Sequence, residues 1–180
     1  MEVLPTFLQI NLQNLYYGAR NRGQRLDFEK IWDFFSSRGS EFLTDAVIYM
    51  IRGDDFDSSK FESKLKTLGY SLRIKETVKV IRDGKTIYKQ SNHDVTIALD
   101  CVDRIKSYEK WILMSGDGDF TDLARHLKQN GKQVEIWGFK ECYNSSLEAY
   151  ADKMYFIDED FFLKNPKISV FGFNRGGLEF

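Results

Sequence analysis

Few residues here suit a soft-metal or disulfide site. Of 180 residues, two are cysteines, Cys101 and Cys142, and two are histidines, His93 and His126. None falls at zinc-ligand spacing, and two cysteines make no disulfide framework. Free thiols fit a reducing compartment, so the expected location is the cytoplasm. No apolar run approaches the ~20 residues that a spanning helix needs. The N-terminus lacks a basic start and a long apolar stretch, so no secretory signal is expected. The formal net charge is −1. No global field therefore draws nucleic acid, and any such binding must come from a local patch. No cysteine nucleophile is set beside a base, and no Ser-His-Asp spacing stands out. Repeats, linkers and low-complexity segments are absent as well. Residues 1–165 are expected to form one domain, with 166–180 as a tail that packs on the body or on a partner.

What remains is an ordinary globular composition, 42% hydrophobic and 29% charged, long enough for a substantial core. Its central stretch is Trp111–Phe120, WILMSGDGDF. A short apolar run ending in a turn cluster reads as a buried parallel strand. Asp117 and Asp119 then lie just beyond the strand's C-terminal end, where open α/β sheets bind ligands. Two carboxylates one residue apart suit a hard divalent cation. Asp119 also suits a helix N-cap, and the two roles are compatible. Gly116 and Gly118 allow backbone conformations that a side chain would strain, or close approach of a ligand. The turn is no phosphate loop, because the glycine spacing and the following lysine are missing.

Thr6–Ile10 reads as the first strand, ending at Asn11 with Asn14 three residues on. Asp27–Arg38 reads as a helix, Ala46–Ile51 as a buried strand, and Asp57–Leu68 as a capped helix stopped by Gly69. Tyr70–Lys75 reads as a strand, and residues 77–89 as a hairpin turning at Asp83-Gly84. Between Arg73 and Lys89 six basic residues face two acidic ones. That ribbon suits phosphate contacts, or equally a charged edge that resists aggregation. In the next helix Val95, Ala98, Leu99, Val102 and Ile105 form the expected core stripe. Asp94 sits in its first turn, where the helix dipole favours a carboxylate. Asp100 and Asp103 lie about 120° and 180° around from it and read as solvated. His93 is a lone histidine beside an acid, and His126 reads as structural or exposed. Asp119–Asn130 is a helix, Gln133–Trp137 a strand, Leu147–Ala151 helical after Ser145 or Ser146, and Met154–Ile157 a last short strand. Strands alternating with helices argue an α/β fold with a mostly parallel sheet.

In such a sheet Asp94, Asp117 and Asp119 converge on one end, with Asn11 beside them if the first strand is central. Three carboxylates and a carboxamide describe an oxygen-ligand site for Mg²⁺ or Mn²⁺. Cations of this kind activate water and offset phosphodiester charge.

The chain resembles the NYN domain, the PIN-like nuclease family that includes the LabA-like proteins. The resemblance rests on Ile10-Asn11-Leu12-Gln13-Asn14-Leu15-Tyr16, on Lys89 through Asp94-Val95 with the helix to Asp100, and on Ser115-Gly116-Asp117-Gly118-Asp119-Phe120. It continues in Leu123…Gly131-Lys132-Gln133-Val134 and Leu147…Ala151-Asp152, covering roughly residues 6–160. It implies a PIN-like three-layer sandwich, a mostly parallel sheet flanked by helices. It also implies divalent-metal-dependent cleavage of RNA, single-stranded or structured, by in-line attack of water that leaves 5′-phosphate and 3′-hydroxyl ends. Residue by residue, the metal-binding acids fall on Asn11, Asp94, Asp117 and Asp119. Asn14 matches an asparagine near the site, and Ser115 matches the serine of the turn. Arg20, Lys89 and His93 would then position phosphates, and Tyr16 or Tyr17 would stack a base, unless those rings belong to the core.

At position 11 the family carries aspartate and this chain asparagine. The amide keeps an acceptor oxygen and loses the charge, so it binds Mg²⁺ more weakly. The chain is then an inactivated substrate trap, a naturally inactive RNA binder, or an enzyme working with three acids. The intact remainder of the site favours the first. Outside the nuclease class stand an RNA- or protein-binding regulatory module and, more remotely, a nucleotide-binding protein. The aromatic tail would suit a homodimer contact.

Overall fold

The computed structural model describes residues 3–53, 57–82, 85–89 and 92–164, with 78–80, 82 and 85–89 described by backbone alone. In chain order the main elements are β1 (Leu4–Asn11), α1 (Leu12–Asn21), α2 (Phe28–Ser36), β2 (Glu41–Arg52), α3 (Ser59–Leu68) and β3 (Ser71–Glu76). The ribbon β4 (Val78–Arg82) and β5 (Lys85–Lys89) follows, then α4 (Asp94–Asp103), β6 (Lys110–Met114), α5 (Thr121–Gln129), β7 (Gln133–Gly138) and β8 (Lys153–Phe156). Six strands form one sheet in the order β3-β2-β1-β6-β7-β8, every pairing parallel. β4 and β5 pair antiparallel as a separate ribbon. The expected α/β fold is therefore present, and β1 is central.

Helices cover both faces. On one face Leu8, Ile10, Ile48 and Met50 pack against Leu15 of α1, Ile31 and Phe35 of α2 and Leu65 of α3. On the other Phe7, Tyr49, Trp111 and Leu113 pack against Ile97 and Cys101 of α4 and Leu123 and Leu127 of α5. Strand residues alternate between these cores because successive side chains point to opposite faces. Strand order reverses between β1 and β6. There a crevice opens at the C-terminal ends, because the connections leave toward opposite faces.

Several expectations are corrected. A helix, α1, begins directly at Asn11, where no helix was read. The 145–149 segment is a 3₁₀ turn capped by Asn144, whose Oδ1 accepts from Ser146 N at 3.0 Å, rather than by Ser145 or Ser146. The stripe expected in the core on α4 is buried only in part: Ala98 and Ile105 pack against the core, while Val95 is 68% exposed, Leu99 58% and Val102 40%. The helix buries Ile97 and Cys101 instead. Asp100 is not simply solvated, since it accepts from Tyr49 OH and Arg73 Nε, each at 2.9 Å. The Asp83-Gly84 turn and the 166–180 tail lie outside the described residues. No described helix is long and apolar enough to cross a membrane.

Candidate metal centre and its cleft

Four segments deliver the site. β1 ends at Asn11, and its neighbour β6 ends at Met114, paired with Ile10, so Asn11 and Ser115 leave adjacent strands side by side. From Ser115 the chain turns through Gly116-Asp117-Gly118-Asp119, and α4 brings Asp94 from its first turn. Carboxylate oxygens of Asp94, Asp117 and Asp119 all lie within 4.8 Å of one another, with Asp94 and Asp117 half-buried and Asp119 exposed. Burial raises the Asp94 pKa above the ordinary carboxylate range, and the charges of Asp117 and Asp119 push it further, against Lys75 and the Asn92 hydrogen bond. Carboxylates this close repel one another, and a bound cation would relieve that repulsion. Three hard oxygen donors at this separation suit Mg²⁺ or Mn²⁺.

The turn is held from several sides. Asp117 Oδ1 accepts from Asp119 N at 3.1 Å, so Asp117, not Asp119, caps the short helix that follows. Ser115 Oγ accepts from Asp117 N at 3.2 Å, and Asn14 Oδ1 accepts from Gly116 N at 3.0 Å. Neither Gly116 nor Gly118 has a positive φ. Their value is close approach, and to protein rather than ligand. A Cβ on Gly116 would sit 2.8 Å from the Cys142 carbonyl oxygen, and one on Gly118 2.4 Å from Asn144 Nδ2. Asn144 N also donates to the Gly116 carbonyl at 2.8 Å. The loop after β7 is thus clamped onto the acidic turn.

The residues read as site residues therefore sort by position. Asp94, Asp117 and Asp119 come together. Asn11 is buried at the strand end, its Oδ1 taking Asn14 N at 3.4 Å as the cap of α1. Ser115 is fully buried, so it braces the turn and is out of substrate reach. His93 is also withdrawn: it is 4% exposed, its Nε2 donates to the Met50 carbonyl at 2.8 Å, and Tyr49 packs edge-on against it. Burial holds its pKa below the ordinary histidine value, and the ring, enclosed in the core, is out of reach of a phosphate. Tyr16 packs partly buried against the core, and Arg20 is exposed on α1. Lys89 lies on the β5 backbone, and its side chain is outside the described residues. Of the basic stretch, Arg73 is spent on Asp100, and Lys75 Nζ donates to the Asn92 carbonyl at 2.6 Å.

Two contributors were not read from sequence. Asn92 Nδ2 donates to Asp94 Oδ2 at 2.5 Å, orienting that carboxylate. The loop after β7 shares an open cleft of about 570 Å³ with Asn14, Asp117 and Gly118. The strand-end rule that singled out Asp117 applies equally to this loop, because β7 is the neighbour of β6.

Comparison with known proteins agrees with this fold. The chain is 30% identical over 130 residues to the Low amplitude and bright protein LabA of Synechococcus elongatus, covering 71% of this chain and 68% of that one. A crystal structure of a Vibrio parahaemolyticus protein of unknown function superposes with a TM-score of 0.77 at 27% identity, covering 90% of this chain and 98% of the other. The NYN domain matches residues 5–160, the span that holds all six sheet strands and the acidic triad. The chain belongs to the NYN domain family, a family of PIN-like nucleases.

Proposed function

We propose that this protein is a divalent-metal-dependent endoribonuclease whose turnover is lowered by Asn11. The observation that carries the reading is the convergence of Asp94, Asp117 and Asp119 within 4.8 Å at the switch point of a parallel sheet. These three would hold Mg²⁺ or Mn²⁺. Such a cation, when bound, lowers the pKa of a water and offsets the charge of a phosphodiester. The chain's own groups do the rest. Asn92 orients Asp94, while Ser115 and Asn14 hold the Asp117 turn. Arg20 and Lys89 would contact the phosphates of the substrate.

By the family resemblance a fourth acid would stand at position 11, where this chain has Asn11, whose side-chain oxygen caps α1. Asn11 thus brings no charge and a committed oxygen, which weakens cation binding. The same observation supports a second reading, a non-catalytic RNA-binding module.

The test compares this chain with Asn11→Asp on labelled single-stranded and hairpin RNA in Mg²⁺ or Mn²⁺, with EDTA and Asp117→Ala controls. Cleavage that rises with Asn11→Asp and disappears in both controls establishes the metal nuclease. RNA bound but uncut by both chains overturns the enzyme and leaves the module.

A further inference from the structure

One wall of the cleft beside the triad is not needed to hold a cation. It is built by Tyr143 and Asn144 from the loop after β7, facing Asn14 from α1. The Tyr143 ring is fixed at both ends: its hydroxyl donates to Glu148 Oε1 at 2.5 Å, and its ring leans on Phe156 at 5.2 Å between centroids. Phe156 is itself 40% exposed. An aromatic held in place, part-exposed and next to a phosphate-cleaving centre loses little entropy when a base stacks on it. The cleft volume, about 570 Å³, lies inside the range of about 300–1,000 Å³ usual for small-ligand sites.

The amides give this wall a polarity. Asn14 Oδ1 is committed to Gly116 N, and Asn144 Oδ1 to Ser146 N. Each oxygen takes a backbone N–H, which leaves each NH₂ as the end free for a ligand. Neither NH₂ has a hydrogen-bond partner among the described residues. The wall therefore offers two unengaged NH₂ donors, while each amide oxygen already has one of its two lone pairs engaged.

We infer that this cleft is a nucleobase subsite: Tyr143 stacks one base of single-stranded RNA, and the Asn14 and Asn144 amides favour bases with carbonyl oxygens, uracil or guanine, over adenine. This rests on the RNA reading above and names what that site selects. Adenine pairs an exocyclic donor, which meets donors here, with ring-nitrogen acceptors only, whereas uracil and guanine present a carbonyl acceptor at O4 or O6.

The experiment measures binding of labelled eight-nucleotide oligouridylate and oligoadenylate, in Mn²⁺ and in EDTA, to the full chain and to four variants. Tyr143→Ala is expected to lose about tenfold or more in affinity for oligouridylate without a change in unfolding temperature. Tyr143→Phe keeps the ring and retains affinity. Asn144→Asp preserves the loop cap, because aspartate caps as asparagine does, while exchanging a donor for an acceptor. Its uridine-to-adenine ratio should fall or invert, a change that a purely structural role would not produce. Phe42→Ala, on a 50% exposed ring at the opposite end of the sheet, should bind as the parent does. Parent-like binding by Tyr143→Ala, with Asn11→Asp still cutting RNA, overturns the subsite and leaves the nuclease standing. Absence of both binding and cleavage in the parent and in Asn11→Asp overturns the RNA reading and the subsite with it.

Discussion

Removing Asp94 from the triad should stabilise the metal-free protein and abolish its response to divalent cations. The three carboxylates lie within 4.8 Å of one another. At that distance a like-charge pair repels by about 3.5 kcal/mol at an effective dielectric of about 20, and by about 0.9 kcal/mol in bulk water. Asp119 is exposed and the others half-buried, so the aqueous end of that range applies, at about 1 kcal/mol per pair. Asp94 takes part in two of the three pairs, so Asp94→Asn relieves about 2 kcal/mol. Against this, the helix α4 loses a first-turn carboxylate, which costs roughly 0.3–1 kcal/mol. The net gain of about 1–2 kcal/mol corresponds to roughly 2–8 °C in unfolding temperature for a chain of this size.

Metal separates the two proteins. At about one hundred times its dissociation constant, Mn²⁺ should stabilise the parent by about 2.7 kcal/mol and Asp94→Asn hardly at all. The pH dependence carries a sign. The Asp94 pKa is raised in the folded state, so its ionisation costs stability above that pKa, and the cost fades as pH falls through it. The advantage of Asp94→Asn should therefore be full at neutral pH and shrink in acid. Thermal unfolding of both proteins, with EDTA or graded Mn²⁺ at neutral and acid pH, measures all of this. A metal-free Asp94→Asn less stable than the parent, still stabilised by Mn²⁺ to the same extent, would refute the reasoning.

Asn11→Asp should bind Mn²⁺ about tenfold or more tightly, by calorimetry, while lowering the metal-free unfolding temperature, because it adds a fourth carboxylate. Gly116→Ala places a Cβ 2.8 Å from the Cys142 carbonyl oxygen. Overpacking of about 1–3 kcal/mol should appear in denaturant unfolding, together with a weakened Mn²⁺ response as the turn shifts. Burial pushes Glu135 up, but hydrogen bonds from Arg38, Lys110 and Trp137 outweigh it and leave its pKa below the ordinary glutamate value. Its stabilising effect is present above the unfolded-state pKa of about 4.3 and is lost as pH falls through the folded one. Acid titration of stability should show this loss, and Glu135→Gln should flatten it while costing about 1.5–3 kcal/mol at neutral pH, since Lys110 and Arg38 lose one charged partner and keep Glu41.

The site was legible because its parts follow a local rule. An apolar run ending in Ser-Gly-Asp-Gly-Asp announces a strand end with carboxylates, and Asp94 before an apolar helix announces a first turn. What a residue faces was less legible. Helix α4 carries two apolar faces: Val95, Leu99 and Val102 make one, and Ile97 and Cys101 the other. Both fit a helical period, and the longer one was chosen. The sheet accepts the narrower face, where Ile97 C=O takes a hydrogen bond from Gln9 Nε2 at 3.0 Å and Asp100 takes Tyr49 OH. The resemblance makes His93 a phosphate contact, but its partner is a carbonyl on β2, 43 residues away.

The family resemblance supplied the missing charge at position 11; sequence alone determined the class of fold, the places where strands end and the three acids. Each is a matter of residue type and short-range spacing, which the chain carries without its partners. Tertiary structure alone decided the order β3-β2-β1-β6-β7-β8, which puts Asn11 beside Ser115, and the packing of the 142–144 loop against Gly116. It also decided which asparagine oxygens are spent on backbone N–H groups and which NH₂ groups remain for a ligand. Those are long-range pairings, and a side chain's remaining hydrogen-bonding capacity is known only after its distant neighbours have taken their share.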